Sequence, residues 1–446
     1  MSKRISINAM TGALAALVLL GFMISATPSG AVPQIMAEYG DQMAWRGADI
    51  NAMGGTGVAL YRGGLSNIYN PAMLTGGPSD GRLDLSLSLD QEHEDRFQPL
   101  FDGFESWVAD AAIASNREHY WQTGFAIAGA PLGGKTPVRV GLSLVDRYPF
   151  QYTFSEELRN PDSYYPDPGE PERDQITELR ERDVRGTLRT LSLGVGADVD
   201  DEIAIGMAVH YAFGVRKETN TVRDFATPDN SYNDQTEYDM NGVNFSLGVR
   251  GKISERVELG ASWESQLNTT GDYSNSRYEA ATGLTTDSNW SGYLRYPNIW
   301  RAGLTFMPQT DPRTIFTLEM EYMSWSELAD SENPGYENPQ NLQDTMDVRI
   351  GLEHRFYNGL PLRFGFRHYD SYVDREASGS VFSTGSAFAI GRGEVAVSME
   401  LGKITSILPH QFPYEDDYFG EAYITDPESR VEDTRFRIGV GYTQNF

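Results

Sequence analysis

From residue 82 to the C-terminus this chain alternates, and that regularity restricts its fold more than its length does. Ile203, Ile205, Met207, Val209, Tyr211, Phe213 and Val215 take every second position, with Ala204, Gly206, Ala208, His210, Ala212 and Gly214 between them. Leu83, Leu85, Leu87 and Leu89 alternate with Asp84, Ser86 and Ser88, and Phe316, Leu318, Met320 and Tyr322 with Thr317, Glu319 and Glu321. Successive side chains of a strand point to opposite faces, so each segment has one apolar face and one small, polar or charged face. Helical period appears only in short stretches.

Fourteen such segments are legible, the first near 82–90 and the last near 430–446. Short turns such as Leu132-Gly133-Gly134, Asp200-Asp201, Ser254-Glu255, Asn358-Gly359 and Arg392-Gly393 rotate with long acidic connections. That asymmetry, with an even strand count, predicts a 14-stranded antiparallel transmembrane β-barrel with periplasmic turns, external loops and both ends of the barrel on the periplasmic side. A soluble sandwich would bury its apolar face without needing this rotation. Charged residues on the inward face (Arg301, Glu319, Arg349, Glu353, Arg363, Arg367, Glu400 and Arg437) point to a wet lumen of mixed sign. Trp121, Tyr148, Tyr152, Trp263, Trp300, Trp325 and Tyr442, near strand ends, suit interfacial girdles.

Composition narrows the function. The absence of cysteine excludes disulfides, thiolate metal sites and thiol redox chemistry. A formal charge of −27 leaves no basic footprint for nucleic acid. Hydrophobic content of 40% suffices for a barrel, since only alternate strand residues meet lipid. Lys3 and Arg4, an apolar run over 13–24 and the small residues Ser29-Gly30-Ala31 have the anatomy of a secretory signal, so residues 1–31 are expected to be removed on export. No later run is long and apolar enough for a membrane helix. No zincin, nucleophile-elbow or P-loop motif is present, and the inward His210 has no partner in sequence, so no enzyme and no cofactor is expected. The acidic second loop (Asp162, Asp167, Glu170, Glu172, Asp174) matches no calcium-loop spacing and reads as a solvated surface.

Residues 32–81 do not alternate and are rich in glycine. Gly55-Thr56-Gly57 lacks the third glycine and the βαβ context of a dinucleotide site. Fourteen strands enclose more than side chains alone can fill, so this segment is expected to plug the lumen of the barrel formed by 82–446. Glycine would allow its backbone to lie close against the wall.

The signal, the Met-Gly-Gly segment with Gly54, Gly55 and Gly57, the Asn70-Pro71-Ala72-x-Leu74 motif, fourteen alternating segments and a terminal Phe446 together resemble the FadL/TodX family. That family carries long-chain fatty acids and other hydrophobic compounds across the bacterial outer membrane. The resemblance implies an N-terminal hatch and passive sideways release through a gap made by a kinked third strand. In the third segment Pro149 has no N–H for a ladder and Asp146 falls on the apolar face, which places the expected lateral gate at these two residues. The family's outer groove is built by helical insertions in the middle loops, yet here 219–235 and 271–293 read as short polar loops. Phe101, Phe104 and Trp107, at helical spacing in the first loop, are the apolar candidate for outer binding instead. The terminal aromatic resembles the signal read by the barrel-assembly machinery. Expected partners are hydrophobic small molecules such as fatty acids and hydrocarbons, and outer-membrane lipid with lipopolysaccharide. The rivals are a PorV-type protein-secretion shuttle, which shares the barrel and motif, and a polar-solute channel.

Overall fold

The alternating segments pair with their neighbours in chain order, and the sheet they form closes on itself. In this computed structural model, which describes residues 36–41, 46–78, 81–130, 138–160, 175–330, 342–372, 378–412, 414 and 428–446, fourteen antiparallel wall strands form the barrel. They are β1 (Arg82–Phe101), β2 (Trp107–Gly129), β3 (Val138–Arg159), β4 (Ile176–Asp198), β5 (Ile203–Asp224), β6 (Tyr232–Ser254) and β7 (Val257–Glu264 and Leu267–Glu279). There follow β8 (Leu284–Tyr296 and Ile299–Phe306), β9 (Thr314–Met323 and Ala329–Asp330), β10 (Thr345–Arg355), β11 (Pro361–Tyr369), β12 (Gly379–Ile390), β13 (Gly393–Pro409) and β14 (Glu428–Asn445). Pairing of β1 with β14, from Arg82↔Asn445 to Phe97↔Arg430, closes the cylinder. Closure satisfies backbone groups that lipid cannot.

The apolar rows face outward. Val243, Phe245, Leu247 and Val249 on β6 are between 43% and 58% exposed, while Asn244 and Ser246 between them are buried. Both ends of the barrel lie together with the short turns, and Phe446 N–H donates to Gly81 O at 3.1 Å. The expected export signal over 1–31, the expected Leu132-Gly133-Gly134 turn and the acidic stretch 162–174 lie outside the described residues.

Three expectations are corrected. Residues 271–293 are mostly strand: β7 and β8 continue as a hairpin joined at 280–283, and β5 and β6 likewise leave only 225–231 between them. Past the lipid both faces of a strand meet water, so pairing persists after the apolar period has stopped. The first loop has no helix. Phe101 ends β1 and pairs with Trp107 at the start of β2, and Asp102 Oδ1 accepts from the N–H groups of Phe104 and Ser106 to close the turn. Tyr148, Tyr152 and Trp325 are not girdle residues, because each is buried inside the barrel. A bulge between Asp146 and Tyr148 inverts the phase of β3, which a count of alternate positions carries through unchanged.

Candidate functional site

Residues 46–78 fill the turn-bearing end of the lumen with two short helices, α1 (Ala48–Asn51) and α2 (Ser66–Tyr69), and two 3₁₀ turns. The motifs singled out above fix this segment. Asn70 Oδ1 accepts from Ala72 N–H at 3.1 Å and its Nδ2 donates to Val58 O and Val249 O, both at 2.9 Å. Pro71 follows at a helical first position, where an N–H is not needed. Gly54 and Gly55 have φ of 70° and 81°, which a side chain would strain. Glu319 on β9 accepts from both Gly57 N–H (2.7 Å) and Val58 N–H (2.6 Å).

The wall meets this backbone with glycines of its own. A Cβ on Gly206 would lie 2.4 Å from Ala72 N, on Gly248 2.0 Å from Asn70 Oδ1, on Gly260 2.0 Å from Val58 O, and on Gly365 1.9 Å from Gly54 N. These glycines were visible in the sequence only as small residues on the inward face, and their common purpose was missed.

A belt of ion pairs surrounds the segment. Asn51 Nδ2 donates to both oxygens of Glu400, which also pairs with Arg437 at 2.9 Å. Arg301 joins Glu264 (3.1 Å) to Glu321 (2.5 Å), and Arg435 reaches Asp41 at 2.8 Å. Burial alone would raise the Asp49 carboxyl, but Arg82 and Arg62 hold it below the ordinary aspartate value. At the belt the inward charges are therefore spent on one another and on the docked segment. The void left at this belt is about 50 Å³, room for a few waters and far below the roughly 300 Å³ of a small ligand site. A cavity of about 400 Å³ lies on the turn side of the segment, lined by Arg62, Arg82, Arg363 and Glu353 among others.

On the other side of the belt the lumen is aromatic. After its bulge, β3 presents Tyr148, Phe150, Tyr152 and Phe154 inward, all buried. Tyr148 stacks on Tyr296 (4.5 Å between centroids), Trp325 on Tyr372 (4.2 Å) and Tyr238 on Tyr273 (3.9 Å). Trp325 enters the lumen at a break in the wall, where β7 is interrupted at 265–266, β8 at 297–298 and β9 at 324–328. Residues 36–41 also occupy this chamber. Tyr39 packs edge-on against Tyr372, and Asp41 N–H donates to Pro149 O at 2.9 Å.

Asp146 and Pro149 lie just past the end of the β2–β3 ladder. The β2–β3 ladder runs only from Gly129↔Val140 to Gly124↔Val145. Beyond it side chains bridge the seam: Asp146 Oδ2 accepts from Thr123 N–H (2.8 Å) while its Oδ1 pairs with Arg189 (3.0 Å). Farther up, Asn116 Oδ1 accepts from Ser155 N–H (3.0 Å), and Thr153 Oγ1 donates to Glu118 (3.4 Å). Phe101, Phe104 and Trp107 sit apart from this region, at the tip of the β1–β2 hairpin, with Phe104 91% exposed. His210 is buried between the hydroxyls of Ser192 (2.7 Å) and Ser246 (3.0 Å), a structural setting beneath Asn67.

Residues 187–384 match the model of the outer membrane protein transport protein family (OMPP1/FadL/TodX). No curated protein matches the chain by sequence. Among solved structures, a Pseudomonas aeruginosa FadL homologue is similar with a TM-score of 0.64 at 12% identity, covering 91% of this chain and 100% of that one. The P. putida toluene transporter TodX (TM-score 0.60, 14% identity, 91% and 99% coverage) and the Ralstonia pickettii toluene transporter TbuX (0.58, 13%, 91% and 99%) share the same fold. The matched family model and these structures are of transport proteins. With the family model matched over the middle of the chain and a fourteen-stranded barrel shared with these structures, the protein is similar to the FadL/TodX-type outer-membrane transport proteins in fold and, over residues 187–384, in sequence.

Proposed function

We propose that the protein takes up hydrophobic compounds across the outer membrane passively, passing them from the aromatic chamber sideways through the β2–β3 seam. The observation that carries this reading is the coincidence of two features: the ladder stops at Gly124↔Val145, and the inward aromatic run of β3 begins just beyond, at Tyr148. The way down is closed by the docked segment and its ion pairs, so the apolar route leads outward, with Asp146 and Pro149 as the gate. In this reading residues 1–31 are an export signal, 32–81 a hatch and 82–446 the barrel. Residues 36–41 vacate the chamber as ligand enters. The exposed Phe104–Trp107 tip is a first apolar contact, and terminal Phe446 serves recognition by the barrel-assembly machinery. The barrel sits among outer-membrane lipid and lipopolysaccharide. Toluene is the compound named for TodX and TbuX, so small aromatics and fatty acids are the compounds to try first.

The test is uptake of labelled toluene and labelled long-chain fatty acid by a deletion strain carrying the gene on a plasmid. Restored uptake of either supports the reading. No uptake, with a secreted protein co-purifying, would instead indicate a PorV-type shuttle, and a large steady conductance in planar bilayers a polar-solute channel.

A further inference from the structure

Two hydrogen-bond donors in the aromatic chamber, Tyr296 Oη and Trp325 Nε1, have no partner among the described residues. Tyr296 and Trp325 are 1% and 0% exposed, and neither Tyr296 Oη nor Trp325 Nε1 is hydrogen-bonded among the described residues. Their rings lie 6.3 Å apart, one stacked on Tyr148 and the other on Tyr372. A buried donor without an acceptor is costly, and phenylalanine would supply an aromatic face at neither position's penalty. Two polar tips kept in such a place are explained by an acceptor that arrives with the cargo.

The charges around the chamber say what kind of acceptor. Arg96 is paired with Glu94 (2.7 Å), Arg182 with Glu218 (2.9 Å) and Arg147 with Glu264 (2.5 Å). Arg147 Nη1 is a further donor without a partner among the described residues, but its charge is already answered. Asp433 is buried with neither carboxylate oxygen hydrogen-bonded among the described residues. An anionic head would meet guanidiniums already engaged by carboxylates. Parallel ring faces, in turn, suit a flat ligand.

We infer that the chamber selects flat, uncharged molecules carrying an oxygen acceptor, such as aryl ketones, esters or quinones, over plain hydrocarbons and over carboxylates. Tyr296 and Trp325 are the specificity-determining donors, and one carbonyl oxygen with two lone pairs can accept from both. The inference rests on the transport reading, and the ligand takes the place now held by Tyr39.

The experiment is equilibrium dialysis of the purified protein in detergent micelles with naphthalene, 1-acetonaphthone and 1-naphthoate, three probes sharing one ring system. The ketone is expected to bind roughly three- to tenfold more tightly than the other two, the range of one or two neutral hydrogen bonds. Tyr296→Phe should bring the ketone down toward naphthalene while leaving naphthalene unchanged, and Trp325→Phe should do the same for the ketone. Both variants should keep the heat-dependent electrophoretic shift of a folded barrel. Equal wild-type affinity for ketone and naphthalene overturns the inference alone, as does parallel weakening of both in Tyr296→Phe or tightest binding of naphthoate. Failure of all three probes to bind likewise overturns the inference, whereas the transport reading falls only if neither toluene nor fatty acid is taken up in the strain test above.

Discussion

Strand β3 has two edges, and they differ sharply. Toward β4 it is paired from Val138↔Ala197 to Arg159↔Ile176, with the ladder resuming after each register shift. Toward β2 pairing ends at Val145, and the rest of the edge is held by a few side chains. The same residues thus form a continuous wall on one side and a seam on the other. Open strand edges are not tolerated against lipid unless they border a cavity or are otherwise satisfied. Here the chamber lies behind the edge and Asp146, Asn116 and Glu118 supply substitutes for ladder bonds. A membrane wall can therefore be opened locally if polar side chains take over from the backbone, and such bonds can be exchanged more readily than a ladder.

The largest effect should come from fixing the seam. Because the chain has no cysteine, Glu118→Cys with Thr153→Cys can be joined by a short bismaleimide, and the register pair Thr153/Asp183 across β3–β4 can be joined as a control. Uptake of hydrophobic compounds should fall at least about tenfold in the first case and stay near wild type in the second. Normal uptake by the cross-linked seam would falsify sideways release.

Loosening the floor challenges the comparison from below. Glu319→Ala removes the acceptor of two buried N–H groups, at a cost on the order of 1–3 kcal/mol for each group left unmade. Ion conductance in planar bilayers should rise while hydrophobic uptake stays within about twofold. If uptake rises in step with conductance, ligand travels through the hatch and the seam is only a scar in the wall.

Pro149→Val is a smaller perturbation, since β3 stays paired to β4 and the bulge remains. A twofold to fivefold slowing of uptake is expected, and an unchanged rate would remove Pro149 from the gate. The mildest effect concerns pH. The Asp49 carboxyl is held below its usual value, so its contribution to hatch docking is full above the unfolded value near 4 and is lost as pH falls below that. A dye on Leu60→Cys should report a constant environment from pH 8 to about 5 and a change only at lower pH. Asp49→Asn should abolish that acid transition without altering the cross-linked seam.

The wall was legible in the sequence because lipid imposes a rule on every second residue, and Ile203 to Val215 obey it without exception. The strand extensions beyond the lipid were not, since Tyr232 to Asp239 and Asp272 to Ser291 have no single apolar face to count. The hatch motifs announced themselves through Asn70-Pro71 and the paired glycines, whereas its anchor did not. Glu319 was seen only as an inward charge, and nothing local says that its partners are backbone N–H groups at 57 and 58. The chamber was hidden by one inserted residue in β3. Once the phase slips at Asp146/Tyr148, two aromatics assigned to the membrane interface turn inward into the buried cluster that holds Trp325, itself delivered through a wall break that no periodicity describes.

The glycines that line the wall beneath the hatch carry a consequence for anyone who would separate the two. With Gly206, Gly248, Gly260 and Gly365 each touching main chain or motif atoms of the plug, the inner surface of the cylinder is a mould of one particular backbone path. A plug transplanted from another barrel would have to trace that path to within a few tenths of an ångström. A barrel deprived of its plug would expose a groove of bare peptide groups and unpaired charges rather than a smooth pore. The boundary near residue 81 divides the chain on paper, while the unit that folds, fits and can be re-engineered extends across it.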